Sequence, residues 1–351
     1  MRISNGYNNK SPNFKGLWNN KTLLKGLEKI SEHSTSFIAA TTFVMATGVR
    51  PLAINITPNV KKENKQYATT NSIASGIIKF CLAEAIAIPI ENAIKKIDKN
   101  PEKYLNEKTI KVLKGSAKTL SESRNYKFAT QTLKLGTGLV SAIPKAIFTV
   151  SLIPVFMNIF YKNKPKDNKN FGNENFYNEY NPIFTNDFGA TKFPTFKGRI
   201  TNQTAKGIGK ILNNTTIQNT VKKFSNNDTN IARNISMATD ILLTTSFIHQ
   251  TKKNKNIKEE RKNALIWNNV ISTGLSLISG YSIDKLIQKG TEKFIKKFSE
   301  INKNDPKLPK YIEGINILRP TLIFAGIYYA LLPIISTYIA DKTDLLEKKE
   351  K

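Results

Sequence analysis

Residues 320–340 read PTLIFAGIYYALLPIISTYIA, a run of twenty-one without a formal charge. At ~1.5 Å of rise per residue, such a run is long enough as a helix to cross a hydrocarbon core of ~30 Å. Arg319 and Asp341 flank it, and Tyr328, Tyr329 and Tyr338 lie within it, so snorkelling charges and amphipathic rings stand near its ends. The chain therefore reads as membrane-embedded. The competing reading is a buried helix in a large soluble core.

A second strong apolar stretch covers 136–161 and is broken only by Pro144, Lys145 and Pro154. Four weaker stretches cover 36–56, 73–94, 235–249 and 264–287. Each carries ionisable or amide groups: Arg50 in the first, then Lys79, Glu84 and Glu91, then Asp240, then Asn268, Asn269 and Asp284. A charge at a helix centre costs ~2.5–3.5 kcal/mol on insertion scales, so 73–94 needs partners to span. The 235–249 stretch is short for a span and reads as re-entrant, interfacial or part of a soluble bundle.

The order of these stretches suggests a duplication, in which an amphipathic start is followed by two weak segments and one strong, proline-containing segment, twice. Phe14-Lys15-Gly16 recurs as Phe196-Lys197-Gly198. Asn59, Lys61, Glu63, Lys65, Asn71 and Ser75 fall opposite Asn256, Lys258, Glu260, Lys262, Asn268 and Ser272 without a gap. A shift of about one helical turn then sets Ile90-Glu91 against Ile283-Asp284, and Leu152-Ile153-Pro154 matches Leu331-Leu332-Pro333. The expected fold is all-α: a helical membrane protein, built as a duplicated three-helix unit of about six apolar helices with amphipathic helices outside. An odd number of spans per copy would place the second copy upside down, the arrangement in which transporters form sites at the repeat interface.

The corresponding divisions are a disordered start at 1–17, a first helical repeat at 18–161, an Asn- and aromatic-rich linker at 162–199, a second repeat at 200–341 and a charged tail at 342–351. The linker alternates Asn, Lys and Pro with eight Phe and Tyr residues and has neither a helical nor a strand period. Its rings either pin it to the helical body or stack on single-stranded bases.

The balance of 54 basic against 26 acidic residues gives a formal charge of +28, while 40% apolar content and a mean hydropathy of -0.34 leave much of the chain in water. Only seven of the basic residues are arginine. Nucleic-acid recognition favours the guanidinium fork, so lysine dominance points instead to composition, solubility and anionic headgroups. Cys81 is the single cysteine, which excludes an intrachain disulfide. The start lacks the apolar core of a secretory signal peptide.

Catalytic signatures are absent. The only histidines, His33 and His249, have no nucleophile motif around them, and no metal-ligand spacing occurs. Lys206-Gly207-Ile208-Gly209-Lys210 lacks the phosphate-loop spacing and reads as a basic amphipathic helix. No enzyme activity, cofactor or metal is expected. Two sets of residues fit a membrane reading. Arg50, Glu84, Glu91, Asp240, Asp284 and Arg319 lie within or beside apolar segments and should pair or line a wet cavity if buried. Ser72 and Gly76, like Ser272, Ser276 and Gly280, put small residues on one helical face, which lets helices approach closely.

Asn13-Phe14-Lys15-Gly16, Gly48-Val49-Arg50-Pro51, the lysine-rich strip before 68–76 and the Pro154 segment resemble a large set of uncharacterised membrane-associated proteins of non-photosynthetic gut bacteria related to cyanobacteria. The resemblance implies a bacterial membrane location, taken as the inner membrane, and no catalysis. The duplication is a departure from that set. The expected role is a structural or interaction component at the membrane, with lipid, including anionic lipid, as partner, together with another copy or other membrane proteins. The alternatives are a small-solute transporter or pore on inverted repeats, and a basic helical protein associated with nucleic acid.

Overall fold

The computed structural model describes residues 20–60, 62–161, 199–225, 230–254 and 259–336. The expected disordered start, the charged tail and all of the linker but Arg199 lie outside them, as do 337–340 of the opening run. The regular elements among the described residues are all helices, joined by short turns, without a strand.

The first helix, α1 (Lys21–Glu32), starts where the Asn20 side chain accepts hydrogen bonds from the Thr22 and Leu23 amides at 2.8 and 3.3 Å, and it stops at His33. After this break α2 (Ser34–Val44) continues through a π-helical turn (Met45–Val49) into α3 (Arg50–Ile56). The π turn has a local cause. Pro51 cannot donate to residue 47 and its ring crowds that carbonyl, so the preceding turn widens and the Arg50 amide bonds to Met45 O. The same device recurs where α11 (Leu308–Gly326) runs into a π turn at Ile327–Leu331 ahead of Pro333, with the Leu332 amide bonded to Ile327 O. The two π turns pack against each other, Ala46 meeting Ala325 and Tyr329.

Between these lie α4 (Lys62–Lys99), α5 (Glu107–Lys114), α6 (Arg124–Tyr161), α7 (Arg199–Leu212), α8 (Thr215–Phe224), α9 (Ile231–Lys253) and α10 (Glu259–Ile301). Among the described residues, four helical stretches are long and apolar enough to cross a membrane: Ser34–Ile56, Ala68–Lys99, Arg124–Leu152 and Leu308–Ser336. The stretch expected at 235–249 is part of a longer helix, α9, of 23 residues. Polar helix formers carry α10 well past the apolar 264–287, to 43 residues.

Contacts fix the direction of every long helix. Ser34 Oγ donates to Gln131 Oε1 and Ser31 Oγ to Glu313, which brings the starts of α2, α6 and α11 to one end of the bundle. Leu135, Ala232 and Ile317 share one apolar cluster, which adds the start of α9. The ends of α4 and α10 arrive there too, through Tyr126 with Asp98 and Phe298 with Tyr311. α2, α6, α9 and α11 therefore run one way along the bundle, and α4 and α10 run back. The inversion expected from an odd span count is not what the contacts give, because Tyr161 and Arg199, on either side of 162–198, stand at opposite ends of the bundle.

The main apolar core lies at the end of the bundle where α6 starts and α4 ends. There the amphipathic α7 and α8 close over the end of α4, α5 and the start of α6, burying Ile97, Leu113 and Leu212 completely or nearly so. Each such side chain contributes ~1.5–3 kcal/mol relative to exposure. On the other side α1 lies across α11, with Leu27 packed on Phe298, Tyr311 and Ile315. Gly314 permits this approach: a Cβ there would fall on the Leu27 carbonyl.

Candidate functional site

The break between α1 and α2 leaves orphan carbonyls at the end of one helix and orphan amides at the start of the next. Buried charges from two other helices satisfy both. Gln131 Nε2 and Lys134 Nζ of α6 donate to Ser31 O at 2.9 and 3.0 Å, which puts a cation at the negative end of α1. Glu91 of α4 serves the opposite pole. Its Oε1 accepts the Thr35 and Ser36 amides at 2.9 and 3.0 Å, and its Oε2 accepts Ser36 Oγ and His33 Nδ1, both at 2.9 Å. Glu91 is 1% exposed, so these four bonds replace its water.

Further groups join this centre. Ser36 Oγ also lies 3.0 Å from Glu84 Oε2. His33 Nε2 lies 2.8 Å from Lys95 Nζ, and since the ammonium can only donate, the ring is the Nδ1–H tautomer with Nε2 accepting. Lys95 in turn reaches Glu32 at 2.9 Å, and Glu32 reaches Lys310 at 2.7 Å. Burial raises the Glu32 carboxyl, but the hydrogen bonds and charges of Lys310 and Lys95 outweigh it and bring the group down to about 2. A small cavity of about 30 Å³ beside this row is lined by Glu32, Lys95, Asp98, Lys134, Lys310 and Glu313 among others.

A second charged centre lies among α9, α10 and α11. Asp284 is fully buried and bonds Arg233 Nη1 through Oδ2 and Arg319 Nε through Oδ1, each at 2.8 Å. Arg319 Nη2 adds a longer contact to Oδ2 at 3.4 Å. The Arg233 guanidinium also stacks 4.4 Å from the Tyr281 ring centroid. Two cations thus share one anion.

Of the residues singled out in the sequence, Glu84 and Glu91 come together at the first centre, and Asp284 and Arg319 at the second. Asp240 belongs to neither and lies in the field of Lys79 and Lys145. Arg50 places its guanidinium 5.5 Å from the Tyr328 ring centroid. Among the small residues, Ser72 Oγ donates to Ala46 O at 2.6 Å, and a Cβ on Gly76 would stand 2.9 Å from Ala46 Cβ. Ser272 and Ser276 are buried on α10, and a Cβ on Gly280 would stand 2.5 Å from the Phe324 ring.

Sequence reasoning missed Arg233, Ser36, Gln131 and Lys134 as members of these centres and set His33 aside. The available signal was slight: Arg233 is one of few arginines and precedes an apolar run, and His33 sits where two helical patterns change phase. The chain matches no known protein family, no curated protein and no solved structure.

Proposed function

We propose that this chain is a bacterial membrane protein that acts as a structural or interaction component without catalytic activity. One observation carries the reading: large apolar side chains stand exposed along the helices that are long and apolar enough to cross a membrane. Val44, Leu52 and Ile56, then Val140, then Leu322 and Leu331 are each more than half exposed. An apolar belt of this kind calls for lipid or another protein surface. Its lysine excess suits anionic headgroups, each lysine near such a surface contributing ~1 kcal/mol before screening.

The finer proposal is a three-helix unit used twice. Ser34–Ile56 and Ile231–Lys253 both have 23 residues and keep one offset at both ends, from 34 to 231 and from 56 to 253. Ser36 and Arg233 stand at that same offset, and they are the residues that reach Glu91 and Asp284.

Carbonate washing of membranes tests the location. The chain should stay in the pellet, and a chain that purifies without detergent as a monodisperse monomer would overturn the reading. Cysteines at Lys253 and Lys303, opposite ends of the bundle, in a Cys81→Ser background then settle how it meets the bilayer. Labelling of both from one side of sealed vesicles, the result favoured by the polarity of 162–198, lays the belt along the membrane. Labelling from opposite sides means that the helices cross and the segment between the units returns with them.

A further inference from the structure

Six polar groups toward the end of the bundle away from the α1–α2 break take no part in the two charged centres. Asp240 of α9, Lys79 of α4 and Lys145 of α6 act on one another through space. All three are partly buried, yet none of them has a hydrogen bond or an ion pair among the described residues. Arg50, at the start of α3, has a buried Nε without a partner. Thr149 and Thr251 are 2% and 0% exposed, and the hydroxyl of each is also without a partner. A helical threonine ordinarily donates to the carbonyl four residues back, as Thr47, Thr239 and Thr321 do here. These two have turned from the bond nearest at hand.

The six share one place. Thr149 stands about one turn beyond Lys145 on α6, and Thr251 about three turns beyond Asp240 on α9, each on the same helical face. The two helices run side by side, so close that a Cβ on Gly138 would meet Thr239 Oγ1 at 3.0 Å. Counted from the pairing of Ser34 with Gln131, Arg50 and Thr149 lie equally far along the bundle to within about half a turn. Tyr329 gives the inward direction, because it is buried against Ala46 and lies in the fields of both Arg50 and Asp240. The groups therefore line the inner side of the seam between α6 and α9, which α3, α4 and the second π turn close.

We propose that this seam binds a small oxyanion of the carboxylate or phosphate class. Three cations stand here against one carboxylate, and charge inside a bundle is costly until something polar pairs with it. The unpartnered atoms are a guanidinium N–H and two hydroxyls, all able to donate to an oxygen. Water meets the hydroxyls and leaves the charge; a metal cation is repelled. An oxyanion answers both, since its oxygens accept from Arg50 Nε, the hydroxyls and the ammonium groups while its charge offsets their excess. Asp240 is then a like charge beside the ion, which weakens the binding and lets the ion leave. Seams between the helices of a bundle are a common place for small ligands. The site goes beyond a structural role and does not depend on whether the helices cross a bilayer.

Thermal unfolding of the full chain in detergent tests the assignment. At neutral pH and constant ionic strength, exchanging chloride for inorganic phosphate or acetate should raise the unfolding temperature of the wild type, and the rise should saturate. Lys145→Met should abolish the rise while unfolding no lower than the wild type in chloride, because an unpaired ammonium has gone. Asp240→Asn should bind the ion roughly tenfold more tightly, as removal of a nearby like charge requires. Thr149→Val, nearly the same shape, should reduce the response and keeps the test open if the charge variants fold poorly. Lys303→Met, at an exposed position, should respond as the wild type does. No rise with either ion overturns the proposal, as does a rise of equal size in wild type, Lys145→Met and Thr149→Val, or weaker binding in Asp240→Asn. A response to anionic lipid in mixed micelles, with none to the free ions, assigns the groups to a headgroup and overturns a solute site.

Discussion

Glu91 and Asp284 are both buried acids on a long helix that runs back through the bundle, and their surroundings differ in kind. Glu91 meets main-chain amides, a hydroxyl and an imidazole at the start of another helix. Asp284 meets two guanidinium groups and the ring stacked on one of them. The first acid is part of the backbone's own accounting, since without it the amides of Thr35 and Ser36 have no partner inside the protein. The second belongs to a set of side-chain charges, and that set stays together only while the anion is there.

The largest expected effect follows at Asp284. Replacing it with Asn leaves two guanidinium groups, each 7% exposed, facing one another without an anion. Breaking a buried ion pair in this way costs ~3–5 kcal/mol. Thermal or denaturant unfolding in detergent should show that loss. A triple replacement of Arg233, Asp284 and Arg319 by Met, Leu and Met should recover most of it, because the desolvation cost of all three charges goes with them. If the triple variant is as unstable as Asp284→Asn, the centre acts through something other than charge.

At Glu91 the same conservative change is milder. Gln keeps one acceptor oxygen for an amide but turns an NH₂ toward Ser36 and His33, leaving one or two donors unsatisfied at ~1–3 kcal/mol. The loss at Glu91→Gln should be smaller than at Asp284→Asn in the same assay, and equal losses would break the contrast between dipole and charge. Gly280→Ala probes the packing beside Asp284 with a smaller expected effect. Its Cβ meets the Phe324 ring at 2.5 Å, and a ring that can turn brings the cost to the low end of the ~1–3 kcal/mol range for overpacking.

The sequence carried the helical class and the position of the strong segments, because uncharged runs of that length have few other destinations. It also exposed Glu84, Glu91 and Asp284 as acids out of place in apolar surroundings. Their partners were hidden. Ser36, Gln131 and Lys134 are ordinary polar residues until the break at His33 brings orphan amides and carbonyls to them, and a helix break of one residue has no strong local signature. Arg233 lies outside the apolar run of its own helix, so a search within runs passed it by. The direction of the helices after 162–198 was out of reach for a different reason. Parity assumes that each helix crosses a bilayer, whereas direction is set by side-chain contacts such as Ser31 with Glu313, which no periodicity reports.

The smallest effect separates a wet charge from the two dry ones. Glu32 is 23% exposed and is held by Lys95 and Lys310, which bring its carboxyl down to about 2 from an ordinary 4.5 against the opposing pull of burial. A depressed carboxyl stabilises the fold above its unfolded value and ceases to do so as pH falls through its folded one. The advantage of the wild type over Glu32→Gln should therefore be full at neutral pH and vanish between about 4.5 and about 2. Water and salt reach the pair, so the difference should stay near the ~0–1 kcal/mol of exposed ion pairs and shrink as ionic strength rises. The Asp284 centre, closed to water, should show no comparable response to salt. A Glu32→Gln difference that persists unchanged to low pH would mean that the glutamate acts by packing, and a strong salt response at Asp284 would mean that the second centre is wetter than its geometry says.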